Sequence, residues 1–384
     1  MDAKRLARRI GLGLAEVCAV TGVLGLLAAS WFALTAFPYA CGALLAGLGL
    51  LARARLKPFA RPAWQRRALW YGGALGLFGL GVVGHEVARH LLRGQARLQS
   101  IYLSSSMRGR LLRSANVVPE ADLFALGVKA SGLLGYWPAE QMPEVCALGR
   151  RHYARMGLSP HFAHVGNVAT TSGFPGANRH YFRYLPRGYS PERTWPLLVF
   201  LHGAAGGQAL YPWLWATFAD EHGFVVVCPT WDDGEWEREA GTRLALDALD
   251  NTLAACSIDR QRVFLAGCSN GAMGGWAVLL ARPGAFRGFI SISGGAMARW
   301  HDERLARMPV LLIHGSADRA VPASASRELA SRLAAAKRPV QLVEMVGEDH
   351  FLILRSTDAM LAVVGRWVRQ LETPRPASPE NGVP

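Results

Sequence analysis

Arg262-Val-Phe-Leu-Ala-Gly-Cys-Ser-Asn-Gly-Ala-Met-Gly-Gly275 is the stretch on which the reading of this 384-residue chain turns. An apolar run breaks into Gly267-Cys268-Ser269-Asn270-Gly271, and small and apolar residues suited to a helix follow. That is G-x-S-x-G in the context that gives the motif meaning, a strand turning sharply into a helix. A serine at such a turn sits in strained backbone geometry with its hydroxyl pushed out of the fold. Side chains at 267 and 271 would collide with the neighbouring strand and helix, so glycine is expected at both. Ser269 is the candidate nucleophile.

A serine hydroxyl needs a histidine base, and the histidine needs an acid to orient it. Both have candidates downstream. Val310-Leu-Leu-Ile-His-Gly-Ser-Ala-Asp318 reads as a buried strand ending in a turn, with Asp318 just past it. Val340 to Val346 is another strand-like run, followed by Gly347-Glu-Asp-His350. His350 therefore falls on a loop from which an imidazole can reach the serine. Of the competitors, His314 lies within a strand and reads as a packed histidine, and His301 sits in a polar surface stretch. Asp349 neighbours His350, but successive side chains point apart, which favours Asp318. The developing oxyanion needs backbone N–H donors. Asn270, after the nucleophile, is one candidate. Ala204, in the small-residue loop after the strand Pro196 to Gly203, is the other, with Gly203 and Ala205 as alternatives. His202 precedes the nucleophile and is expected to prop this loop.

Six pieces then line up in order: Leu185-Pro-Arg-Gly-Tyr189, Leu201-His-Gly-Ala204, the Ser269 elbow, Ile292-Ser-Gly-Gly295, His314-Gly-Ser-Ala-Asp318 and Asp349-His350. On these the chain resembles the α/β-hydrolase superfamily, esterase branch. It is similar to the dienelactone-hydrolase-like, polyhydroxybutyrate-depolymerase-like and phospholipase/carboxylesterase groups. The resemblance runs from Tyr181 to Leu371. One departure is Ala272, where such relatives often carry a second glycine. The resemblance implies an α/β fold, a mostly parallel sheet with helices on both faces, and ester cleavage through Ser269, Asp318 and His350. The alternation of buried strand and helix patterns over the same residues points to the same architecture. A shared triad leaves open a peptidase of prolyl-oligopeptidase type, an envelope acyltransferase, or a degenerate fold kept as a binding module.

The first hundred residues have another character. Ile10 to Leu51 is almost uninterruptedly apolar, too long for one helix across a hydrocarbon core that takes roughly 20 residues. Three spans are expected, about 10–30, 32–51 and 69–88, within a membrane segment 1–92. Gly72-x-x-x-Gly76 in the third permits close helix packing. The apolar region is too long for a cleaved signal peptide, and further spans follow it. Residues 1–113 carry a net charge of +13 and residues 114–384 only +1, so the basicity belongs to the membrane segment. A nucleic-acid partner is thereby disfavoured. The basic clusters Lys4 to Arg9 and Arg53 to Arg67 are expected on the cytoplasmic side of a bacterial-type inner membrane, which makes the catalytic domain extracytoplasmic. Glu16, His85 and Glu86 lie in or near the spans and receive no role.

Residues 93–179 read as a helical linker or cap, 180–372 as the catalytic domain, and 373–384 as a disordered tail. Helical patterns occupy Ala121 to Leu134 and Met142 to Met156 within the linker. Trp213, Trp215, Trp231 and Trp236 are candidates for an apolar acyl site or, equally, ordinary packed aromatics. Cys146, Cys228, Cys256 and Cys268 leave room for one or two disulfides in an oxidising compartment. Cys268 reads as a small buried side chain. No spacing suggests a metal site, and no phosphate loop or dinucleotide fingerprint is present, so no cofactor is expected.

Overall fold

The computed structural model describes residues 3–32, 36–56, five positions between 73 and 80, 97–105, 120–135, 137–159, 161–162, 178–204, 209–231, 234–295 and 302–372. The strands are β1 (Leu98–Ser105), β2 (Asn178–Tyr184), β3 (Trp195–Leu201), β4 (Val225–Thr230), β5 (Ile258–Cys268), β6 (Gly288–Ile292), β7 (Val310–Gly315) and β8 (Val340–Met345). They form one sheet in the order β1-β2-β4-β3-β5-β6-β7-β8. β1, β2 and β4 pair antiparallel, and β4 through β8 run parallel in that order.

The runs Trp195–Leu201, Val225–Thr230, Gly288–Ile292 and Val310–Gly315 are buried at every residue. Parallel strands covered on both faces need such uninterrupted apolar sequence. Alternate residues then divide between two cores. Leu198, Phe200 and Phe264 face α5 (Leu210–His222) and α9 (Thr357–Glu372). Leu197, Val199, Leu201 and Leu265 face α6 (Glu239–Ala255), α7 (Asn270–Ala281) and α8 (Ala323–Ala335). β8 ends the sheet, and its residues Val340-Gln-Leu-Val-Glu-Met345 are at most half-buried, as befits an edge strand. With the Ser269 turn between β5 and α7, this is the α/β-hydrolase fold.

The sheet is wider than a catalytic domain beginning at residue 180 allows, which corrects that boundary. Leu98–Ser105 forms its outermost strand, and β2 starts at Asn178. The sequence LQSIYLSS hides this strand because only one flank of it pairs, so polar residues are tolerated. Between these strands, α3 (Glu120–Leu133) and α4 (Met142–Leu158) pack on each other and on the first core. No cysteine is disulfide-bonded: all six are free, with Cys146, Cys228 and Cys268 buried.

At the N-terminus α1 (Ala3–Phe32) and α2 (Ala36–Leu56) form a hairpin. Their seam is built from small residues: a Cβ on Gly22 would stand 2.7 Å from the Gly42 carbonyl, and one on Gly49 2.7 Å from that of Ala15. Ile10, Leu14, Val17, Val20, Leu24 and Leu27 point outward, each at least half exposed. Among the described residues one helix is long and apolar enough to cross a membrane, Ile10–Leu27 with mean hydropathy 2.0. The apolar part of α2, Ala40–Ala52, is shorter. Most of the expected third span, Gly72 included, lies outside the described residues. Gly76 meets nothing, whereas a Cβ on Gly79 would strike Leu44, so among the described glycines of that stretch Gly79 is in close contact with α2.

Candidate active site

β5 delivers Ser269 to the carboxyl edge of the sheet, and α7 leaves immediately. Ser269 takes φ 53° and ψ −119°, a conformation costly for a side-chain-bearing residue and held here by its surroundings. The glycines make the turn feasible. A Cβ on Gly271 would sit 2.7 Å from the His202 carbonyl, and one on Gly267 2.6 Å from the Ala272 nitrogen. Alanine at 272 is accommodated because Gly294 lies opposite it.

Ser269, Asp318 and His350, far apart in sequence, meet here. His350 Nε2 lies 3.0 Å from Ser269 Oγ, and its Nδ1 lies 2.7 Å from Asp318 Oδ2. Asp318 Oδ1 accepts the N–H groups of Ala320 and Val321, each at 2.9 Å. All three side chains are buried. Burial alone would raise the Asp318 pKa. Hydrogen bonds from His314, His350 and Val321, with the charge on His350, outweigh it and hold the carboxyl well below the usual range. The ionised acid therefore stabilises the fold above an unfolded value of about 3.9, and that contribution is lost as pH falls through the folded value. Asp349 is turned away: it accepts the Phe351 N–H and pairs with Arg355.

His202 acts on the loop rather than on the serine. Its Nε2 accepts the Trp231 N–H at 2.9 Å, so Nδ1 carries the hydrogen and donates to the Gly203 carbonyl at 2.7 Å. Burial lowers its pKa to about 4, which keeps it neutral in this role. Gly203 and Ala204 line the cleft beside Ser269, and Asn270 opens α7, whose N-terminus favours negative charge. Ala205 and His301 lie outside the described residues. Burial, with the nearby Asp318 charge, pushes the Cys268 thiol up to about 12, leaving it an inert neighbour of the serine.

The cleft over Ser269 was not foreseen. Phe124, Val128 and Ser131, spaced along one face of α3, form one wall with Trp137. Leu210, Tyr211, Phe351, Ile353 and Leu354 supply the rest. The described residues of 120–137 therefore lie over the cleft, in the position of a cap. Trp137 packs on the His350 ring with centroids 4.8 Å apart. Glu120 fastens the cap to the fold: Tyr153 Oη donates to its carboxylate at 2.9 Å, and the Ala209 and Leu210 N–H groups at 3.0 and 3.1 Å. Burial raises the Glu120 pKa despite these donors.

Of the two readings of the four tryptophans, the structure favours ordinary packed aromatics over an acyl site. Trp215 and Trp236 are fully buried, Trp236 donating to the His202 carbonyl, and Trp231 bonds to Glu235. Trp213 packs edge-on against Phe162. None lines the cleft. Two signals pointed to the residues that do: the apolar run Phe351-Leu-Ile-Leu354 directly after the base, and Trp137-Pro138 between two helices.

Residues 228–365, which hold Ser269, Asp318 and His350, match the model of the phospholipase/carboxylesterase family. Over 146 residues the chain is 31% identical to poly(3-hydroxyalkanoate) depolymerase C of Paucimonas lemoignei, a match covering 34% of each protein. The chain thus spans about a third of the curated relative it matches. Among solved structures it is similar to a thermostable esterase, with 25% identity, a TM-score of 0.44 and coverage of 50% of this chain and 58% of that one. It is also similar to a poly(3-hydroxybutyrate) depolymerase from Bordetella parapertussis, with 20% identity, a TM-score of 0.40 and coverage of 50% and 87%. The matched segment is similar to ester hydrolases of the serine class.

Proposed function

We propose that this chain is a membrane-anchored serine hydrolase that cleaves carboxylic esters through an acyl-enzyme. The observation that carries the reading is the unbroken line from Ser269 Oγ through both nitrogens of His350 to Asp318 Oδ2 at a strained elbow. Ser269 Oγ attacks the acyl carbon as its proton passes to His350 Nε2, and Asp318 stabilises the imidazolium. Backbone N–H groups of Ala204 and Asn270 receive the oxyanion. Collapse expels the alcohol, which takes the proton from Nε2. Water then gives its proton to His350, attacks the acyl carbon and releases the acid as Ser269 is reprotonated.

The apolar cleft supports an ester with a hydrocarbon acyl chain, held between α3 and the segment 351–354. Val128→Phe narrows that cleft without touching Ser269 or His350. It is expected to lower kcat/KM for p-nitrophenyl palmitate at least tenfold while acetate changes less than about threefold, since a blocked pocket rejects by size. Equal losses on both esters would exclude the cleft as the acyl site.

Ile10–Leu27 supports the anchor, and the cationic Lys4, Arg5, Arg8 and Arg9 before it support a cytoplasmic N-terminus. An odd number of crossings then makes the catalytic domain extracytoplasmic, facing lipid or envelope-bound esters. The full-length protein is expected to stay in the membrane pellet through alkaline carbonate extraction. Release into the supernatant would refute integral anchoring.

A further inference from the structure

We infer that His314 is a positioning residue for Asp318, a second imidazole on the acid's shared oxygen that fixes the carboxylate and moderates its hold on His350. The inference rests on reading Asp318 as the acid of the catalytic set. His314 sits on β7, four residues before Asp318, and is fully buried. Its Nε2 lies 2.8 Å from the Val321 carbonyl and 3.2 Å from Asp318 Oδ2. Both neighbours are acceptors, so Nε2 carries a hydrogen and is shared between them. The ring cannot turn away, because Nδ1 is 2.7 Å from Ser326 Oγ on α8, and that hydroxyl lies 3.0 Å from the Gly294 carbonyl after β6.

Asp318 is thereby held from four directions. Oδ1 takes the two backbone N–H groups, and Oδ2 takes both imidazoles. A carboxylate in a buried site with every lone pair engaged has one orientation, the one that points Oδ2 at His350 Nδ1. Other ionisable groups lie nearby among the described residues. Glu344 on β8 pairs with His314 in register but is neutralised by Arg327 on α8. The Cys268 thiol remains protonated.

The donation has a direction of effect. His314 draws on the same oxygen that stabilises the His350 imidazolium during the reaction. Without that donor the carboxylate interacts more strongly with His350, the imidazolium forms more readily, and the acid limb of the kcat/KM profile moves to higher pH. A residue that merely filled space would leave that limb in place.

The test compares His314→Leu, His314→Gln and Ser326→Ala in the full-length protein on p-nitrophenyl butyrate, with Ser269→Ala as control. Leucine keeps the volume and removes the donor, whereas glutamine can return an N–H to the Nε2 position. His314→Leu is expected to lower kcat about tenfold to a hundredfold, as loss of an orienting partner does, with KM within about threefold of wild type. Its acid limb should rise by about half a pH unit, and His314→Gln should recover most of both changes. A folded His314→Leu with unchanged kcat and limb would overturn the inference, and so would equal losses in both variants with the limb unmoved. Should His314→Leu fail to fold, Ser326→Ala decides: a raised acid limb supports the inference and an unmoved one overturns it. Turnover that Ser269→Ala does not abolish sinks the hydrolase reading itself, a failure separate from indifference to His314.

Discussion

Alanine at His350 is expected to lower kcat for ester hydrolysis by about 10⁴-fold or more, with secondary structure unchanged by circular dichroism. Ser269 Oγ would keep its position on the elbow, because β5 and α7 set it and His350 does not. It would lose the acceptor 3.0 Å away that takes its proton. No other described histidine substitutes. His202 Nε2 is occupied by the Trp231 N–H, and His314 faces Asp318 and Ser326. Restoration of part of the rate by added imidazole, in the space left beside Trp137, would tie the defect to the missing base. Retention of more than about a hundredth of the wild-type rate would contradict the assignment, since a positioned base alone contributes 10²–10⁴.

The second large effect falls on folding. Gly271→Val places two methyl groups where even a Cβ would stand 2.7 Å from the His202 carbonyl and closer still to that of Leu201. Leu201 ends β3, in the middle of the sheet and paired with Gly267 of β5, and the His202 carbonyl after it accepts the Trp236 Nε1–H. Neither can withdraw without disturbing the β3–β5 pairing or the Trp236 hydrogen bond. Destabilisation on the order of 4 kcal/mol or more is expected, well above the typical cost of overpacking a core. Thermal denaturation followed by circular dichroism measures it. A melting temperature within about 2 °C of wild type would show that the elbow is looser than its geometry implies.

The elbow was legible because its chemistry is local. Gly267, Ser269 and Gly271 lie within five residues, and steric exclusion leaves little other use for that pattern after an apolar strand. Asp318 and His350 were legible because each falls on a loop after a strand, where a side chain can face the serine. A cap stood only as an alternative to a linker, since Phe124 and Val128 show the helical spacing of any packed face, and only the folded chain brings them over Ser269. The role of His314 was not legible: a histidine inside an apolar strand reads as packed, and its contact with Asp318 depends on how the turn after β7 folds back. The tryptophans misled for the opposite reason. Large aromatics near a loop suggest a binding wall, yet both are fully buried, Trp215 against Phe200 and Phe218 and Trp236 against the His202 carbonyl.

The most direct test of the central claim is labelling of the detergent-solubilised full-length protein with a fluorophosphonate, beside Ser269→Ala. A phosphonyl group reacts only with a serine activated by its neighbours. Stoichiometric labelling of the wild type, mapped to the peptide containing Ser269 and absent from the variant, is the predicted result. A folded wild-type protein that takes up no label, or one labelled equally in Ser269→Ala, would contradict the account.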